Sequence, residues 1–501
     1  MMNELAFSRP LASVAALGKD ATDSHRFEKK VVLLTGDEDV LALENGRLSF
    51  TAATLLLART CKRGIIHLPA GFSELERTCG DSLAALGAAD WEVRAGHDGG
   101  TMTAADAILS VGSRGARPSR PVAHTVVNSQ GWLARVSTGP QDLARDCDRS
   151  NPIAAVAAAC LGTAEVFKTL LALNPERGGL LSATTFSLLT YASGGSDPGP
   201  ALAADIAIDA ALCGAGAIGN GTALILSALP ISGRLWIVDR QTFGPENLGT
   251  CACIEEAAIG SPKAQVLTRF LAARRANLQV IPFVGEIQEW RERLQREGAR
   301  PQIVLGALDN IDARHDAQDL WPDLLIDGAI GDFPCQVSRH PWPEDVGCVR
   351  CLFRPATSNS AHQQASRATG LSEARVQDPD SLVTDDDVSA AAEVRREWLN
   401  ERVGKPICSV VQEGVAQQLS TSNLSSSFQP SVPFVACMSA AMMVGELVKH
   451  AMGLPSPLSP RFQMDILRGP ERGELLPQKR RQDCICVSRR RNIERLRADG
   501  K

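Results

Sequence analysis

Three glycines between two apolar segments constrain this chain more than any other feature of its sequence. Gly214, Gly216 and Gly219 follow the strand-like run from Ile206 to Leu212, and residues 222–229 then have the pattern of a helix. Glycines at this spacing let backbone N–H groups approach phosphate oxygens at the N-terminus of a helix. The sequence therefore predicts an α/β unit that binds a nucleotide.

The next apolar segment, Leu235 to Val238, predicts a second strand and is followed by Asp239. A carboxylate at this point of a βαβ unit can accept hydrogen bonds from ribose hydroxyls. Strand, glycine turn, helix and acid thus occur in the order that a nucleotide site requires. A tight turn without a ligand is the alternative interpretation of the glycines.

Residues further along the chain favour ATP as the nucleotide. A nicotinamide enzyme has no need for the pair Asn247-Leu248, for Lys263, or for the pair Asp309-Asn310. ATP cleavage requires a cation on the phosphates and a carboxylate for Mg²⁺, and Lys263 and Asp309 supply those groups. A nicotinamide-dependent oxidoreductase is the alternative, and it predicts that catalysis is indifferent to loss of Lys263.

Together these residues resemble the E1-like superfamily, which includes ThiF, MoeB and the ubiquitin-activating enzymes. The shared pattern is Gly-x-Gly-x-x-Gly, Val-Asp, Asn-Leu, Ile-Gly-x-x-Lys and Leu-Asp-Asn, which occurs here between Gly214 and Asn310. Members of the superfamily adenylate the C-terminal glycine of a small β-grasp protein. The resemblance implies the same activity for this chain.

The resemblance also implies roles for individual residues. Asp239 is expected to hold the ribose, and Asn247 and Lys263 the phosphates. Asp309 is expected to hold magnesium, and Asn310 follows it in the same nucleotide-binding motif. ATP and Mg²⁺ are therefore the expected co-substrate and metal.

One position departs from the family pattern. The family has Asn-Leu-x-Arg, with the arginine on the phosphates, whereas this chain has Thr250 at that position. A charge that stabilises the leaving pyrophosphate is therefore absent or comes from elsewhere. In the family a second arginine reaches across from the partner half, and Phe7-Ser8-Arg9 resembles that segment. Arg9 is the candidate for this role, and an ordinary surface arginine is the alternative.

The chain also repeats itself weakly on both sides of a Gly- and Pro-rich linker at residues 193–200. Each side has apolar strands in the same order and then a helix of small residues. That helix contains Glu165 and Lys168 in the first half, and Glu446 and Lys449 in the second. Two related α/β units are therefore expected.

The two halves differ after their first strand. The first half has Gly36-Asp37-Glu38-Asp39 where the second has its glycine turn, and carboxylates there would repel a phosphate. We expect an α/β fold with two Rossmann-like E1 adenylation units, degenerate in the N-terminal half and active in the C-terminal half. The expected divisions are an inactive adenylation-like domain at 1–190, a linker at 191–200, an active adenylation domain with the ATP site at 201–355, a crossover segment with the catalytic cysteine at 356–430, and a C-terminal core helix with a zinc-binding tail at 431–501.

Two cysteine pairs predict a metal site. Cys348-x-x-Cys351 follows the nucleotide unit, and Cys484-x-Cys486 lies near the C-terminus. Four thiolates suit a closed tetrahedral Zn²⁺ site, and many E1-like proteins have one cysteine pair at each of these places. A redox Cys-x-x-Cys is the alternative for the first pair. The chain has 14 cysteines and no secretory signal pattern, which favours a reducing, cytoplasmic location.

Cys408 has no nearby cysteine partner, so neither zinc nor a local redox pair explains it. Its stretch, Cys-Ser-Val-Val-x-x-Gly-Val-Ala, resembles the Cys-Thr-Val-x-x-x-Gly-Leu-Ala stretch of the autophagy-type E1 enzyme, where the cysteine forms a thioester. A thiol near a helix N-terminus and Lys405 would favour its thiolate. The resemblance implies that Cys408 is the nucleophile, and a buried core cysteine is the alternative.

The layout resembles bacterial E1-like proteins of ubiquitin-like conjugation operons of the Bil type, several of which are anti-phage systems. It implies two protein partners, a ubiquitin-like or sulfur-carrier β-grasp protein and an E2-like conjugating protein. A sulfur-carrier adenylyltransferase without a thioester step and a catalytically dead scaffold are the alternatives. A net charge of −5 and a basic C-terminal run without aromatic residues argue against nucleic acid. Apolar runs shorter than about 20 residues argue against a membrane span.

Overall fold

The repeat predicted from the sequence corresponds to two sheets with the same strand order. The computed structural model describes residues 7–17, 24–96, 105–113, 122–144, 149–354, 432–458 and 460–499, and shorter stretches at 365–366, 368–376, 378, 381–407, 409–411 and 414. The first half comprises α1 (Ser8–Leu17), α2 (Ser24–Phe27), β1 (Val31–Gly36), α3 (Glu38–Leu41), α4 (Glu44–Thr60), β2 (Arg63–Leu68), α5 (Ser73–Ala85), β3 (Trp91–Ala95), β4 (Ala107–Val111), β5 (Ala123–Gln130), β6 (Leu133–Thr138), α6 (Pro152–Leu171), α7 (Pro175–Gly178) and β7 (Thr184–Ser187).

The second half is interrupted by a separate compact unit that spans residues 354–429. Before the interruption lie β8 (Ile206–Cys213), α8 (Ala217–Leu226), β9 (Ile231–Val238), α9 (Lys263–Ala272), β10 (Leu278–Phe283), α10 (Ile287–Arg296), β11 (Ile303–Gly306), α11 (Ile311–Gln318), β12 (Leu324–Ile330), β13 (Pro334–Pro341) and α12 (Val349–Leu352). The separate unit contains α13 (Glu373–Val376), α14 (Asp385–Ala390) and α15 (Glu393–Asn400). The second half then resumes with α16 (Pro433–Ala451), β14 (Pro460–Asp465), β15 (Glu474–Pro477), α17 (Ile485–Ser488) and α18 (Arg490–Asp499).

The two sheets correspond strand for strand. The first has the order β3-β2-β1-β4-β5-β6-β7, and the second has the order β10-β9-β8-β11-β12-β13-β14-β15. In both, the first five strands are parallel and the following strands pair antiparallel. The second sheet has one additional edge strand, β15. This correspondence confirms the prediction of two Rossmann-like units.

The two long helices α6 and α16 form the centre of the main unit. Each begins with a proline, Pro152 or Pro433, whose fixed φ suits the first turn of a helix. The helices pack against each other, and the rings of Phe167 and Phe434 lie 5.5 Å apart. They are the two described helices long and apolar enough to cross a membrane, but 94% and 89% of their apolar windows are buried inside the protein. Their apolar surface on all sides is therefore that of core helices.

Both central helices carry a buried ion pair at matching positions. Lys168 lies 2.6 Å from Glu165 in α6, and Lys449 lies 2.5 Å from Glu446 in α16. All four side chains are at most 1% exposed. Burial raises the pKa of Glu165 and lowers that of Lys449, and the partner charge counteracts both shifts. The Glu and Lys that recur in the sequence repeat therefore form equivalent buried ion pairs in the two halves.

Each buried lysine also bonds to the opposite half. Lys168 donates to the carbonyl oxygen of Leu467, just beyond β14, at 3.1 Å. Lys449 donates to the carbonyl oxygen of Leu189, just beyond β7, at 3.1 Å. The strands β7 and β14 occupy equivalent places in the two sheets. The halves are therefore joined by reciprocal contacts of the kind that a two-fold dimer makes.

Candidate functional site

The glycine turn connects β8 to α8 and has little room for side chains. Gly214 has a φ of +100°, and a Cβ there would lie 2.3 Å from the carbonyl oxygen of Ala307. A Cβ at Gly219 would lie 2.2 Å from the carbonyl oxygen of Gly214, whereas Gly216 faces open space. The turn therefore passes directly over the end of β11. Helix α8 begins at Ala217, five residues before the predicted start, because the small residues that follow the turn are already helical.

Asp239 lies between the glycine turn and the segment that follows β9. Its Oδ2 accepts a hydrogen bond from Ala215 N at 2.7 Å, and its Oδ1 accepts one from Gln241 N at 2.7 Å. A carboxylate has about four acceptor positions, so two bonds to backbone amides leave capacity for hydroxyl donors. The predicted ribose acid and the predicted phosphate turn are thus in direct contact.

Lys263 is the first residue of α9 and is only 7% exposed. Its Nζ donates to Gln241 Oε1 at 2.7 Å and lies 5.7 Å from the centre of the Phe243 ring. Its backbone N–H also donates to Gln241 O at 2.9 Å. Lys263 is therefore connected through Gln241 to Asp239 and is not a solvated helix lysine. An ammonium has three donors, and Gln241 uses one of them.

Asn247 and Thr250 lie in the loop between β9 and α9, and both are buried. Asn247 Oδ1 accepts from Gly244 N at 2.9 Å, and Asn247 O accepts from Cys251 N at 2.8 Å. The Thr250 hydroxyl donates to Asn247 O at 3.4 Å and is fully shielded from solvent. Thr250 therefore stabilises the loop internally, and it offers no positive charge to a phosphate.

Asp309 and Asn310 follow β11, on the side where the glycine turn crosses its end. Asp309 is exposed, and Asn310 Nδ2 donates to Asp309 Oδ1 at 3.0 Å. Asn310 also caps α11, because its Oδ1 accepts from Ala313 N at 2.8 Å. The carboxylate is thus oriented by a residue that is itself fixed to a helix.

Positive charges from both halves converge on the loop that contains Asn247. Burial raises the pKa of the Cys251 thiol, and the charges of Lys263, Arg9 and Arg59 counteract that rise. Arg9, on α1, and Arg59, on α4, belong to the first half. Arg59 contacts this loop of the second half directly, because its Nε donates to Cys251 O at 3.0 Å. Arg9 is half-buried, and its assignment to the phosphates stays a prediction.

The corresponding place in the first half is occupied by a side chain. Asp37 follows β1 as Gly214 follows β8, and its Oδ2 accepts from Ser113 N at 2.9 Å. The same oxygen lies 2.2 Å from where a Cβ of Gly112 would be, and Gly112 is the counterpart of Ala307. In the first half, the Asp37 carboxylate therefore fills the space that the glycine turn leaves open in the second half.

The four predicted metal ligands lie together. The Sγ atoms of Cys348, Cys351, Cys484 and Cys486 are all within 4.8 Å of one another, and all four residues are buried. Three of the Sγ–Sγ distances are 3.6–3.7 Å. A Zn²⁺ ion with Zn–S bonds of about 2.3 Å would require edges of about 3.8 Å in a tetrahedron. The four thiols therefore fit a structural zinc ion that would join the C-terminal tail to α12.

Cys408 itself lies outside the described residues. Its neighbour Ile407 is fully buried in the core of the separate unit, and Ile407 N donates to Ser381 O at 2.9 Å. The residues on both sides, 406–407 and 409–411, are described. The assignment of Cys408 as nucleophile stays a prediction.

Two parallel-sheet units and a glycine turn with an adjacent carboxylate define an α/β nucleotide-binding protein. A family model described as the ThiF family matches residues 207–486, which is more than half of the chain. The chain therefore belongs to the ThiF family, within the E1-like superfamily. This membership supports an ATP-dependent adenylating enzyme that uses Mg²⁺.

Similar proteins were also found in two other comparisons. The uncharacterized protein y4jF of Sinorhizobium fredii is 27% identical over 486 residues, which cover 92% of this chain and 89% of that protein. The crystal structure of E. coli MccB with MccA-N7isoASN is 15% identical, with a TM-score of 0.38, and the match covers 56% of this chain and 67% of that chain. The structure of E. coli MccB with ATP is 15% identical, with a TM-score of 0.37, over 55% and 65% of the two chains.

Sequence reasoning missed the residues that support the site. Gln241 links Lys263 to Asp239, and Arg59 reaches the loop after Asn247 from the other half. The only sequence feature that could have identified Gln241 is its position two residues after Asp239. Arg59 had none, because it lies 192 positions from Cys251, the residue whose carbonyl it contacts.

Proposed function

We propose that this chain activates the C-terminal glycine of a ubiquitin-like or sulfur-carrier β-grasp protein and then holds it as a thioester for an E2-like protein. The observation that supports the proposal most is the continuous network from Ala215 N through Asp239 and Gln241 to Lys263. It joins a phosphate turn, a ribose acid and a cation in one site. We place the reaction in the reducing cytoplasm, where the thiols stay free.

In the first step the carboxylate of the terminal glycine attacks the α-phosphorus of ATP, and pyrophosphate leaves. The backbone amides of the Gly214–Gly219 turn would bind phosphate oxygens, and Asp239 would hold the ribose. Asn247 and Lys263 would bind the phosphates, and Arg9 would add the charge that Thr250 does not supply. Asp309, oriented by Asn310, would hold Mg²⁺, which neutralises phosphate charge.

In the second step the Cys408 thiolate attacks the acyl carbon of the adenylate. A thioester bond forms, the acyl–phosphate bond breaks, and AMP leaves with the electron pair. The thiol proton goes to solvent or to a nearby base. The acyl group can then pass to a cysteine of the E2-like protein by exchange of one thioester for another.

The test combines pyrophosphate release with a non-reducing gel. The chain is mixed with Mg-ATP and a small β-grasp protein that ends in glycine. We expect the wild type to release pyrophosphate and to form a thiol-sensitive adduct. Cys408→Ser should release pyrophosphate without the thiol-sensitive adduct, and Lys263→Ala should yield neither product.

Other outcomes separate the alternatives. Pyrophosphate release without an adduct on the wild type would identify an adenylyltransferase that has no thioester step. Neither product, with a partner shown to bind, would identify a catalytically inactive scaffold. Full activity of Lys263→Ala would contradict the assignment of the phosphate cation.

A further inference from the structure

Arg59 connects the non-nucleotide half to the loop that contains Asn247. Its Nε donates to Cys251 O at 3.0 Å, and its Nη2 donates to Ile254 O at 2.7 Å. The side chain is 3% exposed, and Nη1 donates to Leu55 O of its own helix at 3.1 Å. The planar guanidinium thus spans two carbonyls three residues apart on a loop of the other half.

The same loop is joined on its other side to the glycine turn. Cys253 N donates to Asn220 Oδ1 at 3.3 Å, and Cys253 Sγ donates to Asn220 O at 3.2 Å. Asn220 Nδ2 in turn donates to the carbonyl oxygens of Ala215 and Gly216, both at 2.9 Å. Residues 251–254 therefore lie between Arg59 of the first half and the phosphate turn of the second.

One side of this loop is packed in the core, where Cys251, Ala252 and Ile254 are at most 1% exposed, and the other side borders a cavity. A cavity of about 240 Å³ lies beside Arg59, and residues of both halves line it, among them Leu48, Ser82, Leu224 and Arg274. A cavity removes the contacts that would otherwise fix a loop by close packing. On the side that faces the cavity, Arg59 fixes the loop with two hydrogen bonds.

We propose that Arg59 is a positioning residue for adenylation. It fixes residues 251–254 from the non-nucleotide half, and it thereby holds Asn247 and the glycine turn in the geometry that Mg-ATP requires. The proposal rests on the proposed function, and it assigns Arg59 no contact with substrate. It gives the first half a role in the reaction beyond the predicted Arg9.

Two substitutions and one matched control test the proposal. Arg59→Leu removes both bonds to the loop, whereas Arg59→Lys keeps the charge and one donor direction but cannot span both carbonyls. Arg274→Ala is the control, because Arg274 lines the same cavity and donates to Phe270 O of its own helix. Thermal unfolding of each variant monitors the fold.

Three quantities are measured: the Kd of Mg-ATP by calorimetry, pyrophosphate release with the β-grasp protein, and amide hydrogen exchange over residues 247–254. We expect Arg59→Leu to weaken binding and slow release by about 10- to 100-fold, the range typical of small misplacements of a site. Amide hydrogen exchange over residues 247–254 should be faster in Arg59→Leu than in the wild type. Arg59→Lys should recover part of each loss, and Arg274→Ala should match the wild type.

Unchanged exchange and unchanged Kd in Arg59→Leu would overturn the proposal. So would equal losses in Arg59→Leu and Arg274→Ala that follow a lower melting temperature, since they would indicate a stability effect alone. If the wild type neither binds Mg-ATP nor releases pyrophosphate, the proposed function fails. The exchange comparison then still decides whether Arg59 orders the loop.

Discussion

Replacing one member of a buried ion pair should destabilise the protein far more than replacing both members. The two pairs lie at 2.5 and 2.6 Å, where two unit charges attract by about 6 to 7 kcal/mol at an effective dielectric constant of about 20. Each buried ion has lost several kcal/mol of hydration, which roughly offsets that attraction. The net contribution of an ion pair to the free energy of unfolding is therefore small, whereas a single unpaired buried ion carries the full cost of its lost hydration.

Lys449→Met leaves Glu446 buried, with a hydrogen bond from the Tyr191 hydroxyl at 2.9 Å and with Arg339 Nε at 3.8 Å from its Oε2. We expect Lys168→Met to lower the free energy of unfolding by about 3 to 5 kcal/mol at pH 7, and Lys449→Met to lower it by less, because Arg339 still attracts Glu446. The double variant Glu446→Leu with Lys449→Met should lie within about 1 kcal/mol of the wild type or above it.

Urea unfolding followed by circular dichroism measures these differences. The control is Arg234→Met, since Arg234 lies 2.7 Å from Asp209 but the two side chains are 48% and 38% exposed. An exposed pair at this distance contributes less than about 1 kcal/mol, so the control should change little. A loss below 1 kcal/mol for both lysine variants, or a double variant as unstable as the singles, would refute the argument.

Two further predictions concern the metal and the pH. When it is purified without chelator, the chain should contain about one zinc ion, with Zn–S distances of about 2.3 Å by X-ray absorption. Cys486→Ser should lose the zinc and expose α18 to protease. A reducible disulfide without metal would instead favour the redox alternative for the first cysteine pair. Burial raises the pKa of Asp327 to about 6, partly offset by Arg314, so the folded state binds its proton more tightly than the unfolded state. Stability should fall as pH rises from about 4 to above 6, by up to about 3 kcal/mol, and this slope should be missing in Asp327→Asn.

The sequence predicted what local chemistry determines. The glycine turn was predictable because a positive φ and a close approach of two backbone segments need glycine, and Gly214 has a φ of +100° beside Ala307 O. The cysteine cluster was predictable because four thiols in two close pairs have few other uses. The two-fold repeat was predictable from apolar strands that recur in the same order and from two apolar helices that each carry a Glu and a Lys, where an unpaired charge would be costly.

What could not be predicted depends on contacts distant in sequence. In the sequence Arg59 is an ordinary helix residue, because its role arises only where α4 meets the loop of the other half, and backbone carbonyls leave no signature in a sequence. The buried state of Lys263 similarly follows from Gln241 and Phe243, which the loop between β9 and α9 brings to it. Motifs therefore identified the groups of the site, while the fold alone revealed what holds them.

The covalent connection of the two halves gives these cross-half contacts their physical meaning. Arg59, Lys168 and Lys449 all bond to backbone carbonyls of the opposite half, and such bonds contribute modestly when two separate chains must first associate. In one chain the association step is intramolecular, so the effective concentration of one half near the other is high. The first half can then lack a glycine turn, as Asp37 at the corresponding position shows, and still support the second. The contacts that a homodimer would make through a second copy are made here within a single molecule.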